Sequence, residues 1–75
     1  MWNNRIIKHE KSKTTWYSVH EVFYNKDGSI YAYTEDPITI VGETEEEAVE
    51  QAEQILRDIK DMPVLVASEL DMMGK

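Results

Sequence analysis

The chain contains no cysteine, so neither a disulfide nor a thiolate metal site can support its fold. Its 75 residues form one domain. A domain of this size buries only about 60–65% of its unfolded surface. Its stability therefore depends on good packing or on a partner chain. Two histidines, His9 and His20, are too few for a structural zinc site, so the sequence predicts no metal and no cofactor.

Long apolar runs are also missing. The apolar stretches are a few residues long, far short of the ~20 residues that a membrane-spanning helix needs. Residues 1–5 lack the apolar centre of a signal peptide. Together with the absence of cysteine, these features predict a cytoplasmic protein that does not bind a membrane.

Basic residues are scarce. The chain has 8 Lys and Arg against 15 Asp and Glu, a net charge of −7. Residues 35–75 hold twelve of those acids and only three of the bases. Nucleic-acid phosphates require Lys and Arg, so this balance argues against a nucleic-acid partner. It favours solubility or a basic protein partner.

Signatures of catalysis are absent as well. With three glycines, the chain has no glycine-rich phosphate loop. His20 and Glu21 are neighbours on a strand, so their side chains point to opposite faces and cannot form an acid–base pair. Ser18 and Ser29 lie in no nucleophile motif, and His9 lies on another strand. We therefore predict no catalytic residues and no enzyme activity.

The first half of the chain is typical of β-structure. Residues 5–9, 15–24 and 29–34 are rich in β-branched and aromatic side chains and are predicted as strands, with residues 10–14 as a turn or loop. Residues 25–28, Asn-Lys-Asp-Gly, predict a hairpin turn. Residues 38–41 are expected to be extended, after the break at Pro37.

A helix is predicted to begin after Thr44. Glu47 follows three residues later, as in a capping box, and acidic residues fill the first turn. Arg57 and Lys60 lie near the other end, where the helix dipole favours positive charge. The apolar residues at three- and four-residue spacing are expected to form one buried stripe. They are Ala48, Val49, Ala52, Ile55, Leu56 and Ile59.

These elements predict an α+β fold in which a three-stranded antiparallel sheet packs on one helix. Pro63 ends the helix, and residues 64–66 suit a short fourth strand, which gives the order βββαβ. The predicted domain covers residues 1–67. Residues 68–75 are predicted as a C-terminal tail with room for one helical turn capped by Ser68.

Residues 41–52, Val-Gly-Glu-Thr-Glu-Glu-Glu-Ala-Val-Glu-Gln-Ala, resemble the opening of the helix in HicB-type antitoxins. The order of strands and helix is similar to the partial ribonuclease-H-like domain of that family. Residues 20–28 look more like small uncharacterised proteins of bacteria and their phages. The resemblance implies the same fold and an antitoxin-like role.

The predicted hairpin leaves one aromatic face without a cover. If residues 26–28 form the loop, Tyr24 pairs with Ile30, Phe23 with Tyr31 and Val22 with Ala32. One face then carries Val22, Tyr24, Ile30 and Ala32, which suit the helix. The other carries Tyr17, Val19, Phe23, Tyr31 and Tyr33, with Glu21 among them. An open aromatic patch indicates an interface, although a solvated cross-strand ladder is the alternative.

The sequence therefore predicts a small protein-interaction module that binds a protein partner or itself, as a homodimer, through this face. The alternative is an acidic, phage-type inhibitor or nucleic-acid mimic that binds a basic partner through the glutamates of residues 43–53. Those glutamates also suit a solvated helix face that matches the helix dipole.

Overall fold

A computed structural model describes residues 1–73. The elements are β1 (Trp2–Lys11), β2 (Thr14–Tyr24), β3 (Ile30–Tyr33), α1 (Glu45–Ile59), β4 (Leu65–Val66) and α2 (Ala67–Met73). The four strands form one sheet in the order β3-β2-β1-β4. β1, β2 and β3 pair antiparallel, whereas β4 pairs parallel to β1. The α+β class and the order βββαβ are confirmed; the sheet is mixed and four-stranded, and a second helix follows it.

Two tight turns connect the three antiparallel strands. Lys11 pairs with Thr14, so only Ser12 and Lys13 form the first loop, with a φ of 57° at Ser12. A positive φ at the first loop residue alone is the pattern of a type II′ turn, whose twist matches that of the strands. Both strands therefore extend further toward this turn than predicted, because the polar residues around it remain paired. β1 also begins earlier than predicted, at Trp2.

The second turn is the predicted one. The Asn25 amide donates to the Ser29 carbonyl oxygen at 2.8 Å, and Gly28 lies at a φ of 90°. That backbone conformation is open to glycine and strained for most other residues. Asp27 accepts hydrogen bonds from the hydroxyl and the amide of Ser29, and these hold the pKa of its carboxyl below the usual value.

A bulge changes the register of β3. Tyr24 pairs with Ile30 as predicted, but Phe23 then pairs with Ala32 and Val22 with Tyr33. Tyr31 is the extra residue, and an extra residue moves everything after it to the opposite face. The predicted pairs Phe23–Tyr31 and Val22–Ala32 are therefore wrong.

Helix α1 begins as predicted. Thr44 Oγ1 accepts a hydrogen bond from the Glu47 amide at 3.1 Å, and the Glu47 carboxylate accepts from the Glu43 amide at 2.9 Å. Both bonds satisfy amides that have no partner within the helix.

Its buried stripe is narrower than predicted. Ile55 is buried, and Ala48, Ala52 and Ile59 are half-buried. Val49 and Leu56 are instead 47% and 58% exposed.

The two helices lie on opposite faces of the sheet. The Asn4 side chain donates to Asp58 of α1 at 2.8 Å, so α1 lies on the face to which Asn4 points. Leu70 of α2 packs with Ile7 and Val22 on the other face. Tyr24, Ile30, Tyr33, Leu65 and Ala67 complete this core.

The boundary predicted at residue 67 falls at the first residue of α2, and Leu70 beyond it is buried.

Residues 38–41 form no strand, although the Ile38 amide donates to the Val19 carbonyl oxygen at 2.8 Å. In the part of the chain from residue 1 to residue 73, neither helix has the length and apolar content needed to span a bilayer.

The cap of α1 gives a stability prediction. Thr44→Ala is expected to lower the free energy of unfolding by about 1 kcal/mol, because the Glu47 amide loses its acceptor. Thr44→Ser, which keeps an acceptor oxygen, should remain within a few tenths of a kcal/mol of the parent. Urea denaturation followed by circular dichroism measures both, and equal losses in the two variants would show that the cap is not responsible.

Candidate functional site

Four of the five predicted interface residues share one face of the sheet. On β2, Tyr17 pairs with Lys8, Val19 with Ile6, and Phe23 with Trp2. Tyr31 joins this group because its ring lies 6.3 Å from that of Phe23. Tyr17 and Tyr31 are each 60% exposed, whereas Val19 and Phe23 are half-buried.

Tyr33 does not belong to this group. It pairs with Val22, points to the core face, and meets the His20 ring edge-on at 5.8 Å. Its hydroxyl donates to the Asp71 carboxylate of α2 at 2.7 Å. Burial first, and then the hydrogen bond and negative charge of Asp71, raise the pKa of this hydroxyl above its usual value. Tyr33 ties α2 to the sheet, so its assignment to the aromatic face is corrected.

The face with Tyr17 and Phe23 is also the one that α1 covers, contrary to the prediction that the helix packs on the aliphatic face. The helix is attached at Asn4, which pairs with Glu21 between Val19 and Phe23. Trp2, Phe23 and Tyr31 lie beyond that attachment, at one end of the sheet. We call these three residues the aromatic end. Trp2 is 54% exposed and Tyr31 60%, so two large rings are available to a partner.

The opposite face holds a cluster of polar side chains. Ser18 Oγ lies 2.9 Å from His9 Nε2 and 2.8 Å from His20 Nε2, and the two nitrogens are 3.1 Å apart. We call these three residues the histidine pair site. His20 is buried, with 1% of its surface exposed, whereas His9 and Ser18 are half-buried. The site therefore reaches the surface on the side of His9.

Neighbouring groups hold both rings in place. The Thr34 carbonyl oxygen accepts from His20 Nδ1 at 2.9 Å. In the neutral ring this places the proton on Nδ1 and leaves Nε2 as an acceptor for the Ser18 hydroxyl. The Trp16 ring stacks on His9 at 5.2 Å with 12° between the planes. The site can thus present two imidazole nitrogens and one hydroxyl oxygen to the same point.

The sequence interpretation missed this site. A two-residue loop at Ser12 and Lys13 places His9 and Trp16 in direct register, and Ser18 and His20 follow on the same face. The length of the loop was the feature that could have revealed the site. The longer loop predicted for residues 10–14 does not define which residues of β1 and β2 pair.

Arg5 is buried on the same face as His20, but it points away from the histidine pair site. Its guanidinium donates to the Tyr24 hydroxyl at 3.0 Å and to the Pro63 carbonyl oxygen at 2.8 Å. Among residues 1–73 it makes no ion pair, and its Nε lacks a hydrogen-bond partner. A buried charge is costly without hydrogen bonds, and the bond to Pro63 also links the segment before β4 to the sheet.

The glutamates of α1 form a separate, acidic surface. Glu45, Glu46, Glu50 and Glu53 line a shallow depression with Val49 on the outside of the helix. They remain available to a basic partner.

No protein-family model, curated protein or solved structure matches this chain.

Proposed function

We propose that the protein is a small cytoplasmic interaction module that binds another protein chain through the aromatic end of its sheet, without catalysing a reaction. The observation that carries this proposal is the grouping of two exposed rings, Trp2 and Tyr31, around Phe23. Aromatic residues are enriched in interface cores because they bury large areas with few rotatable bonds. The resemblance of residues 41–52 to HicB-type antitoxins supports an antitoxin-like role for the bound form.

A second copy of the chain is the partner that we propose first. A small domain without cysteine gains stability from association. Twofold dimers are the commonest oligomers, and their interface patches must complement themselves. The aromatic end meets this condition, since it consists of three uncharged rings that can stack on the same rings of a second copy.

This proposal predicts a change in oligomeric state. Trp2→Lys combined with Tyr31→Lys is expected to convert a dimeric parent into a folded monomer, because two like charges per chain then face each other across the twofold axis. Sedimentation velocity measures the state, and circular dichroism verifies the fold.

Tyr17→Lys is the matched control. Tyr17 is as exposed as Tyr31 and lies on the same face, but on the other side of the helix attachment. It should leave the dimer intact. A parent that remains monomeric at millimolar concentration refutes self-association. If Tyr17→Lys weakens the dimer as much as the double variant does, the choice of the aromatic end is refuted.

The acidic surface of α1 supports a second candidate, an inhibitor or nucleic-acid mimic with a basic partner. The observation that favours this candidate is the exposure of Val49 and Leu56 beside the glutamates. These two side chains add apolar contact area to a negatively charged surface. Binding through this surface would weaken steeply with salt, whereas binding through the aromatic end would not.

A further inference from the structure

Three donor atoms of the histidine pair site lie close enough together to contact one ion. Its three atoms, His9 Nε2, His20 Nε2 and Ser18 Oγ, are separated by 2.8, 2.9 and 3.1 Å. An ion about 2.05 Å from both nitrogens would subtend an angle of about 100° at their 3.1 Å separation. That angle lies between the ~90° of a tetragonal site and the ~109° of a tetrahedral one.

The surroundings favour a ligand role for both rings. Thr34 accepts the Nδ1 proton of His20, the arrangement that orients metal-binding histidines and directs the bare Nε2 at the ion. In the other half of the site, His9 is partly exposed, and its Nε2 lies 3.1 Å from that of His20. In the His9 tautomer with the proton on Nδ1, both Nε2 lone pairs are available to an ion.

The charge around the site allows a cation to bind. The guanidinium of Arg5 is directed toward Tyr24 and Pro63, and Lys8 points to the other face of the sheet. Among residues 1–73 no group of three or more His, Cys, Asp or Glu side chains could hold an ion, so the protein would supply two nitrogens and one hydroxyl, and water would have to complete the coordination. A site of two imidazoles and oxygen ligands selects Cu²⁺ over Ni²⁺ and Zn²⁺.

We propose that His9 and His20, with Ser18 as a weaker oxygen ligand, bind one divalent transition-metal ion, Cu²⁺ most tightly. This proposal departs from the expectation of no metal, which rested on two histidines being too few for a structural zinc site. An open site that keeps water ligands does not need four protein ligands.

The test is a titration with CuSO₄ in a buffer that does not bind metals, followed by Trp16 fluorescence in a Trp2→Phe background. Because Trp16 stacks on His9, Cu²⁺ at the site should quench this fluorescence with a stoichiometry of one ion per chain. His9→Gln should raise the midpoint at least about tenfold, as expected when an imidazole ligand is lost. Ser18→Ala should raise it by a smaller factor.

His9 is half-buried, so its replacement is expected to leave the fold intact, which circular dichroism verifies. The electron paramagnetic resonance spectrum of the Cu²⁺ form should show coupling to two imidazole nitrogens. Zn²⁺ should raise the melting temperature of the parent but not that of His9→Gln, since an ion that binds only the folded state stabilises it. Equal midpoints in parent and His9→Gln would overturn the proposal and assign the quenching to an adventitious ion elsewhere, such as the terminal amine.

Discussion

Ile55→Ala is expected to lower the free energy of unfolding by about 2–4 kcal/mol, whereas Leu56→Ala should lower it by under about 0.5 kcal/mol. The two residues are adjacent on α1 and lose similar apolar groups, but their exposure differs. Ile55 is 9% exposed and Leu56 is 58% exposed. Only the removal of Ile55 leaves a cavity between the helix and the sheet, and a domain this small has little stability to spare.

Paired urea melts measure the two losses on the same scale, with unchanged m-values confirming that both variants unfold in one step. The pair contains its own control, since the helix propensities of Ile and Leu differ from that of Ala by less than about 0.7 kcal/mol. A loss at Leu56 as large as that at Ile55 would mean that another surface covers the outer flank of α1, for instance a second chain.

The pair also shows what helix periodicity can establish. The cap at Thr44 was predicted from local hydrogen bonds and the helix dipole, although the helix ends at Ile59, before the stop predicted at Pro63. Spacing of three and four residues identified the helix itself. It could not define the width of the buried stripe. That width depends on where the helix rests on the sheet, here at Asn4, and this contact joins residues 54 positions apart.

Strand pairing was predictable only as far as the turns specify it. The turn at Asn25 and Gly28 correctly predicted the Tyr24–Ile30 pair, but no local sequence feature predicts the bulge at Tyr31. One extra residue reverses the faces, which is why Tyr33 packs in the core instead of on the aromatic face. The histidine pair site was not predicted for a similar reason. Its three residues come together only through the register of β1 and β2.

The contribution of α2 to the core is the feature that the sequence interpretation most underestimated. Residues 68–75 were predicted as a tail, yet Leu70 is 8% exposed and packs against Ile7 and Val22. The helix is held in place by a second contact, the hydrogen bond from Tyr33 to Asp71. A short amphipathic turn at a chain end has too few residues for periodicity to distinguish it from a solvated tail.

Leu70→Ala is therefore expected to lower the free energy of unfolding by about 2–4 kcal/mol, the usual range for removing a buried leucine side chain. Glu69→Ala, at the exposed position before it, should change stability by under about 0.5 kcal/mol. Tyr33→Phe keeps the ring and removes only the bond to Asp71, so it should cost about 0.5–1.5 kcal/mol.

Thermal and urea melts of the three variants determine whether α2 belongs to the cooperative unit. If it does, Leu70→Ala shifts the single unfolding transition of the whole domain, because the cavity opens beside Ile7 and Val22 at the centre of the sheet. If Leu70→Ala unfolds at the same urea concentration as Glu69→Ala, residues 68–75 are the tail that the sequence predicted, and the core is closed by β1, β2 and β3 without them.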